Sequence, residues 1–271
     1  GQVTGRFNTH LKDCVLLFID EGFWAGDKQA EGVIKNLITE PTITVEPKGK
    51  DIFQIKNNVN VIIASNSDWV VPAGLGERRF FTVDVNDCFK GNYDFFKELA
   101  DQMENGGREA MLYDLQNKNI AGVKLRDFER TDALLEQIIE SMTFVQKSWF
   151  TQLQRGAIRI DDEDGFRYNG SDQSISFRDE WPTIIPNIQL YHNFESFVRK
   201  MKGYLPVEAV FGKQFGKLVK PKFSKVSFEK GAPRLRSRII PELDDCRKDF
   251  VKLINMEIDW DEEKYQTEDA A

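Results

Sequence analysis

The chain has 271 residues, of which 41% are hydrophobic and 30% charged, a composition typical of a globular protein with its own core. No apolar run approaches the roughly 20 residues of a membrane-spanning helix, so we expect a cytoplasmic protein. Three scattered cysteines and two histidines argue against a zinc site.

The net charge of −7 conceals an uneven distribution. Residues 199–238 contain twelve Lys or Arg residues and two Glu residues, a net charge of +10, which leaves −17 for the rest of the chain. A compact basic segment in an acidic protein indicates a local site for a polyanion. The alternative is an ordinary solvated surface.

The first ninety residues mix predicted strands and helices. Two short apolar runs, residues 14–19 and 59–64, have the pattern of strands buried on both faces, as in a parallel sheet. Between them the apolar spacing predicts a helix over 27–39, and a hairpin follows that helix, with strands at 42–46 and 52–56. A further strand is predicted over 79–85. This order predicts an α/β fold.

The remaining sequence is richer in predicted helices. Two short helices broken at Gly106 and Gly107 are predicted over 93–119, and one longer helix over 132–153. After a polar insert at 161–173, the predicted elements are helices at 190–201 and 206–218, strands at 222–228 and 234–240, and a helix at 241–255. Two helices followed by a basic hairpin is the order of a winged helix-turn-helix, so we predict a winged-helix-like α+β module.

Polar side chains follow both apolar strands. In an open α/β sheet, ligands bind at the carboxyl ends of the strands. An acidic pair such as Asp20 and Glu21 there could hold Mg²⁺ and orient a water for hydrolysis of a nucleoside triphosphate. Asn66, after the second strand, is a candidate to sense the γ-phosphate or to hold the attacking water. A capped strand end and an ordinary turn are the alternatives for these residues.

Basic pairs occur at two further places. Lys48 and Lys50 lie at the tip of the hairpin, where they suit sequence-independent contact with DNA phosphates, with a solvated turn as the alternative. Arg78 and Arg79 are candidates for an arginine finger that reaches the phosphates of a neighbouring subunit. For them the alternative is a surface salt bridge.

Taken in order, these features resemble superfamily 3 helicases, the hexameric ATPases of small viruses, phages and plasmids. The stretch from Thr4-Gly-Arg-Phe-Asn8 to Gly76-Glu-Arg-Arg79 is more closely similar to the helicase domain of phage primase-polymerases of the deep-sea vent phage type. The phrases that carry the likeness are Leu-Phe-Ile-Asp-Glu-Gly, Ile-Lys-Asn-Leu-Ile-Thr-Glu, Glu-Pro-Lys-Gly-Lys and Ala-Ser-Asn-Ser. The likeness is good over residues 1–90 and looser afterwards.

The resemblance implies a partial P-loop (AAA+-like) NTPase core that uses ATP and Mg²⁺. Asp20 and Glu21 are then the Walker B acids, with Asp20 holding the Mg²⁺, and Asn66 is the sensor. Arg78 or Arg79 is the finger in a ring that is expected to be hexameric. Lys48 and Lys50 correspond to a DNA-tracking hairpin in the channel of that ring.

One part of the family pattern is missing. The family has a Gly-x-x-x-x-Gly-Lys-Ser/Thr loop upstream of Walker B, and the nearest sequence here, residues 212–218, has the wrong spacing and no hydroxyl. We expect the loop, and any primase domain before it, to lie upstream of Gly1. The chain by itself is then expected to hydrolyse no ATP.

The basic segment resembles the winged-helix modules that follow such phage ATPases. The likeness lies in Leu190-Tyr-His-Asn-Phe-Glu-Ser-Phe and Phe211-Gly-Lys-Gln-Phe-Gly-Lys-Leu. We predict that its groove-facing helix and its wing contact DNA phosphates through Lys213, Lys217, Lys220, Lys222, Lys225, Arg234, Arg236 and Arg238.

The expected domains are an ATPase core at 1–130, a connecting helix and polar insert at 131–189, the winged-helix-like module at 190–258 and an acidic tail at 259–271. The expected function is ATP-driven translocation on single-stranded or forked DNA during phage or plasmid replication, in the host cytoplasm if the gene belongs to a phage. The alternatives are a replication initiator that binds origin DNA without motor activity, and an oligomerising pseudo-ATPase.

Overall fold

The computed structural model describes residues 8–21, 28–124, 127–158, 181–227 and 234–260. The predicted polar insert and the acidic tail beyond residue 260 lie outside these ranges. The strands are β1 (Leu16–Asp20), β2 (Thr42–Val45), β3 (Phe53–Lys56), β4 (Asn60–Ala64), β5 (Ile184–Pro186), β6 (Phe223–Val226) and β7 (Leu235–Ile239). The α-helices are α1 (Lys28–Thr39), α2 (Tyr93–Gln102), α3 (Arg108–Asn117), α4 (Asp132–Glu140), α5 (Phe144–Arg155), α6 (Asn187–Lys200), α7 (Glu208–Leu218) and α8 (Leu243–Ile254).

The two apolar runs form a parallel pair of strands. β1 pairs with β4 from Leu16 opposite Asn60 to Asp20 opposite Ala64. Parallel neighbours need a long crossover connection, and here α1 and the antiparallel hairpin β2–β3 provide it. The predicted parallel pair, helix and hairpin are confirmed, and both strands end at the same edge. The predicted burial on both faces is wrong, because Leu16, Phe18 and Ile62 are exposed on one face of the pair.

A small apolar cluster joins α1 to the hairpin. Leu37 of α1 and Ile43 of β2 are buried together with Leu11. The Asn57 side chain donates hydrogen bonds to the carbonyls of Leu37 (2.7 Å) and Glu40 (2.8 Å), which satisfies acceptors at the end of α1. The base of the hairpin is therefore fixed to α1.

The predicted strand over 79–85 is wrong. Phe80 is buried, but Phe81, Val83 and Val85 are exposed and the segment has no strand partner in the part of the chain that the structure describes. Its aromatic and β-branched composition favours a strand, but a strand needs a neighbour for its backbone hydrogen bonds.

The helices after residue 90 follow the predicted breaks only in part. The break at Gly106 is confirmed, since a π-turn over Met103–Gly107 separates α2 from α3 and Gly106 has φ +96°. The single helix predicted over 132–153 is wrong, because α4 ends before Ser141 and α5 begins after Thr143. Thr143 and Gln146 form a capping box, a start signal inside the predicted helix.

In the basic segment, two helices and a hairpin are confirmed, and a third strand joins the hairpin. The sheet has the order β5–β7–β6, with antiparallel pairs, so that α6 and α7 lie in sequence between β5 and β6. β5 was not predicted because it has only three residues and ends in Pro186.

One hydrophobic core extends from Ile19 in β1 to Ile258 after α8. Its aromatic centre includes Trp149 of α5, which contacts Phe215 of α7 edge-on at 5.1 Å between ring centroids. The division into domains stays a prediction. None of the described helices has the length and apolarity needed to cross a membrane.

A buried amide connects α4 to the loop that follows β4. Gln137 Oε1 accepts hydrogen bonds from the backbone N–H groups of Val70 (2.7 Å) and Val71 (3.1 Å), and its Nε2 donates to the Asp68 carbonyl (2.6 Å). Buried backbone groups need such partners. The Gln137 side chain therefore holds the loop against α4.

Substitution of Gln137 by Met should lower the free energy of unfolding by about 2–4 kcal/mol, because two N–H groups and a carbonyl lose their partner. Urea denaturation measures the change. The same substitution at exposed Gln116 in α3 is the control and should change stability by less than about 0.5 kcal/mol. Equal effects of the two substitutions would contradict this role of Gln137.

Candidate functional site

The carboxyl ends of β1 and β4 bring the predicted acidic and amide residues together. Asp20, the last residue of β1, lies opposite Ala64, and the Glu21 backbone N–H donates to the Ala64 carbonyl at 3.0 Å. Asn66 Nδ2 donates to Glu21 Oε1 at 2.7 Å, although the two residues are 45 positions apart in sequence. Asp20, Glu21 and Asn66 thus share one exposed edge.

The backbone at Glu21 has an unusual conformation. Its φ of +47° lies in the left-handed region, which non-glycine residues seldom adopt. Such residues are concentrated at functional sites, where the surrounding structure compensates the cost of roughly 1–3 kcal/mol. At Glu21 the compensating contacts are the hydrogen bonds to Ala64 and Asn66.

The chain that carries Asn66 is held from both sides. Ser65 Oγ accepts from the Ser67 backbone N–H at 3.1 Å, which closes a tight turn around Asn66. On the other side of Asn66, Trp69 Nε1 donates to Ser141 Oγ at 2.8 Å. Together with Gln137, these contacts fix the path of the loop.

Sequence reasoning missed Gln137 and Ser141 as supports of this loop. The available signal was their position at the helical spacing of the apolar face that contains Leu134, Ile138 and Met142. A polar residue on a buried face needs a hydrogen-bond partner.

The two arginines have different surroundings. Glu77, which is 3% exposed, accepts hydrogen bonds through Oε1 from the backbone N–H groups of Arg78 (2.8 Å) and Arg79 (2.7 Å). The guanidinium of Arg79 forms an ion pair with the same carboxylate at 3.6 Å. Arg78 is exposed. No contact among the described residues joins either arginine to Glu21 or Asn66.

Glu77 is a second residue that sequence reasoning missed. The sequence offered only a Gly-Glu-Arg-Arg run, in which the acid reads as an ordinary surface residue. Its burial and its three interactions make it the group that sets the conformation of the arginine segment.

Lys48 and Lys50 are exposed at the tip of the hairpin, on either side of Gly49, whose φ is +71°. The base of the tip is fixed by Asn8, whose amide donates to the Thr44 carbonyl at 2.8 Å and accepts from the Glu46 N–H at 2.9 Å. The hairpin therefore presents two cations on an anchored turn.

The predicted basic surface of the second half is present, with one exception. On α7, β6, β7 and their connections, seven of the predicted residues are exposed: Lys213, Lys217, Lys220, Lys222, Lys225, Arg234 and Arg236. Arg238 is only 4% exposed and does not lie on this surface. Its guanidinium lies 4.9 Å from the Phe215 ring centroid and 5.2 Å from that of Phe223.

Burial is the main cause of a lowered pKa at Arg238, and the neighbouring charge of Arg236 lowers the pKa further. Burial likewise raises the pKa of the Cys246 thiol to about 12, with Asp249 adding to the effect, so Cys246 remains a protonated core thiol at neutral pH. It is no candidate nucleophile.

The donor set at the strand ends suits Mg²⁺. No group of three or more His, Cys, Asp or Glu side chains that could hold a metal occurs in the described part of the chain. Mg²⁺ in nucleotide sites is held by one or two carboxylates together with phosphates and waters, so it requires no such group. The exposed carboxylate of Asp20 fits this chemistry.

Comparison with known proteins finds a partial likeness to a phage DNA primase-polymerase. Residues 1–79 match a family described as "Family of unknown function (DUF5906)". Over 163 residues the chain is 22% identical to the DNA primase-polymerase of Nitratiruptor phage NrS-1, a stretch that covers 55% of this chain and 23% of that protein. The resemblance to a phage primase-polymerase is thereby confirmed.

The fold is similar to the C-terminal region of NrS-1. Its apo structure aligns with a TM-score of 0.57 at 15% identity, covering 89% of this chain and 58% of that one. A second apo form aligns with a TM-score of 0.53 at 15% identity, covering 88% and 57%. The mixed α/β architecture is therefore shared, and the chain spans less than two thirds of either relative.

Substitution of Glu77 by Ala should lower the free energy of unfolding by about 2–4 kcal/mol, because two backbone N–H groups and a half-buried arginine lose their acceptor. Urea denaturation measures the loss. The control is Glu104→Ala, which breaks an exposed pair with Arg108 and should cost less than about 1 kcal/mol. If Glu77→Ala lowers the free energy of unfolding no more than Glu104→Ala does, Glu77 does not organise the arginine segment.

Proposed function

We propose that this chain supplies the acidic and sensor side of an ATP-hydrolysing site in a phage or plasmid replication protein, a DNA helicase of superfamily 3 type. The observation that carries the proposal is the 2.7 Å hydrogen bond from Asn66 to Glu21 at the ends of two parallel strands. The likeness to a phage DNA primase-polymerase supports the setting in replication.

Three side chains have distinct roles in the proposed hydrolysis. Asp20 would hold Mg²⁺, which would supply the positive charge that neutralises the ATP phosphates. The carboxylate of Glu21 accepts a proton from the attacking water. Asn66 donates to one oxygen of Glu21, which fixes the orientation of the carboxylate and leaves its second oxygen for the water.

The phosphate-binding loop comes, in this proposal, from outside the 271 residues, which contain no Gly-x-x-x-x-Gly-Lys-Ser/Thr sequence. The strand pair supports this arrangement. Parallel sheets are normally covered on both faces, yet Leu16, Phe18 and Ile62 are exposed. The helix that follows such a loop would pack on this face of the sheet and cover these side chains.

Of the two arginines, Arg78 suits the finger better. Arg79 is already paired with the buried Glu77, whereas Arg78 is exposed and its backbone is fixed by the same carboxylate. An arginine that reaches the phosphates of a neighbour requires an oligomer. We therefore assign the protein to a ring, hexameric by analogy with the family.

DNA is the proposed track. Lys48 and Lys50 offer two cations on an anchored turn, which suits contact with phosphates without sequence preference. The order α5, β5, α6, α7, β6, β7 is compatible with a winged helix, in which α7 carries Lys213 and Lys217 toward DNA. Both sites have the charge that a polyanion requires.

A replication initiator without motor activity is the second candidate. The observation in its favour is the concentration of charge, +10 between residues 199 and 238, away from the acidic strand ends. Sequence-specific binding of duplex DNA by this segment, together with no turnover of ATP, would favour it over the helicase.

In the full-length gene product, Glu21→Gln should lower kcat for DNA-stimulated ATP hydrolysis by about a hundredfold or more, because the water loses its base. Asn66→Ala should act in the same direction, with ATP binding retained in both variants. Steady-state hydrolysis and nucleotide-binding assays measure the two quantities.

The matched control is Glu40→Gln, the same change at an exposed acid just after α1, with unchanged turnover expected. Wild-type turnover that survives Glu21→Gln would remove Glu21 from the catalytic role.

A further inference from the structure

A cavity of about 370 Å³ lies in the basic half of the chain, between the first turns of α6 and α7 and the strands β6 and β7. Its volume is at the lower end of the range for small-molecule sites, about 300–1,000 Å³. Its lining combines apolar and charged side chains, among them Asn187, Leu190, Phe211, Phe223, Arg236 and Arg238.

Arg238, which lines this cavity, carries a buried charge without a compensating partner among the described residues. Its Nε and Nη1 atoms lack hydrogen-bond partners among the described residues, and no carboxylate in those ranges forms an ion pair with it. The faces of Phe215 and Phe223 provide only cation–π contact. Buried charges are normally paired, so the site favours an anion.

A second guanidinium strengthens that preference. Arg236 lies on the same face of β7 as Arg238, with its guanidinium 4.5 Å from the Phe223 ring centroid. Lys225 is directly opposite Arg236 in the antiparallel register, and like charges in facing positions repel each other. An anion placed between these groups would relieve the repulsion.

The wall also offers acceptors. Asn187 Oδ1 is buried without a hydrogen-bond partner among the described residues, and Glu208, an acidic residue, also lines the cavity. An anion without a proton, such as sulfate, cannot donate to them. The fitting ligand has a phosphate or carboxylate at one end, a flat apolar body, and N–H donors at the other end.

We propose that this cavity binds a single nucleotide. Its phosphate lies against Arg236 and Arg238, its base packs between the apolar side chains Leu190, Phe211 and Phe223, and its exocyclic amino group donates to Asn187 or Glu208. The nucleotide is either free in solution or part of a DNA strand held by the surrounding lysines. The inference does not require ATP hydrolysis at Glu21.

Two glycines of α7 allow a matched test. Gly212 lines the cavity and Gly216, one turn later, does not, while a Cβ atom at either position meets nothing within 4 Å. Gly212→Leu therefore places a side chain at the cavity, and Gly216→Leu places the same side chain at a position that does not line it. Both substitutions replace glycine by a better helix former, so both variants should fold.

Isothermal titration of the full-length gene product with deoxyadenosine monophosphate is the first arm. We expect saturable binding that Gly212→Leu weakens at least tenfold and Gly216→Leu leaves unchanged. Arg236→Gln should weaken the monophosphate about tenfold to a hundredfold, as expected for loss of a charged hydrogen bond, without affecting deoxyadenosine.

Binding of single-stranded DNA to the two leucine variants is the second arm. If Gly212→Leu weakens only the binding of single-stranded DNA, the ligand is a nucleotide within a strand. If it weakens only the binding of deoxyadenosine monophosphate, the ligand is a free nucleotide. Equal behaviour of Gly212→Leu and Gly216→Leu in both arms overturns the proposal. We expect Gly212→Leu to leave ATP turnover unchanged. This measurement shows whether the cavity and the proposed hydrolysis site at Glu21 are independent of each other.

Discussion

The parallel pairing of β1 with β4 brings Glu21 and Asn66, which are 45 residues apart in sequence, close enough to form a hydrogen bond. Parallel neighbours require a long crossover, and α1 with the lysine-tipped hairpin forms that connection. The same pairing directs the chain after β4 toward α4, where the Gln137 side chain accepts a hydrogen bond from the Val70 backbone N–H. The proposed catalytic edge and the proposed DNA contact are thus consequences of one strand pairing.

Two buried charges show how the surroundings determine what a side chain can do. Glu77 has two backbone donors and Arg79 within reach, so its charge is compensated inside the chain and it fixes the backbone that carries Arg78. Arg238 has aromatic rings and another arginine around it. Glu77 therefore has a structural role, whereas the charge of Arg238 remains uncompensated and could be neutralised by an anionic ligand.

Local patterns were sufficient for part of this description. The apolar runs before Asp20 and before Asn66 predicted a parallel pair, and the order of polar residues predicted the edge where they meet. Residues 79–85 form no strand because strand composition does not provide a neighbouring strand. Residues 132–153 form two helices because the capping box at Thr143 starts a new one. The burial of Glu77 and of Arg238 depends on tertiary packing that no spacing encodes. The spacing placed Gln137 on a buried helix face but did not identify its hydrogen-bond partners in the loop after β4.

The most direct test of the central claim is strand separation of a forked DNA duplex by the full-length gene product in the presence of ATP. The account predicts ATP-dependent unwinding by the wild type, and a Glu21→Gln variant that binds the fork with the same affinity and releases no strand. Fork binding by the wild type without ATP-dependent release of a strand would contradict the helicase and leave DNA binding as the function.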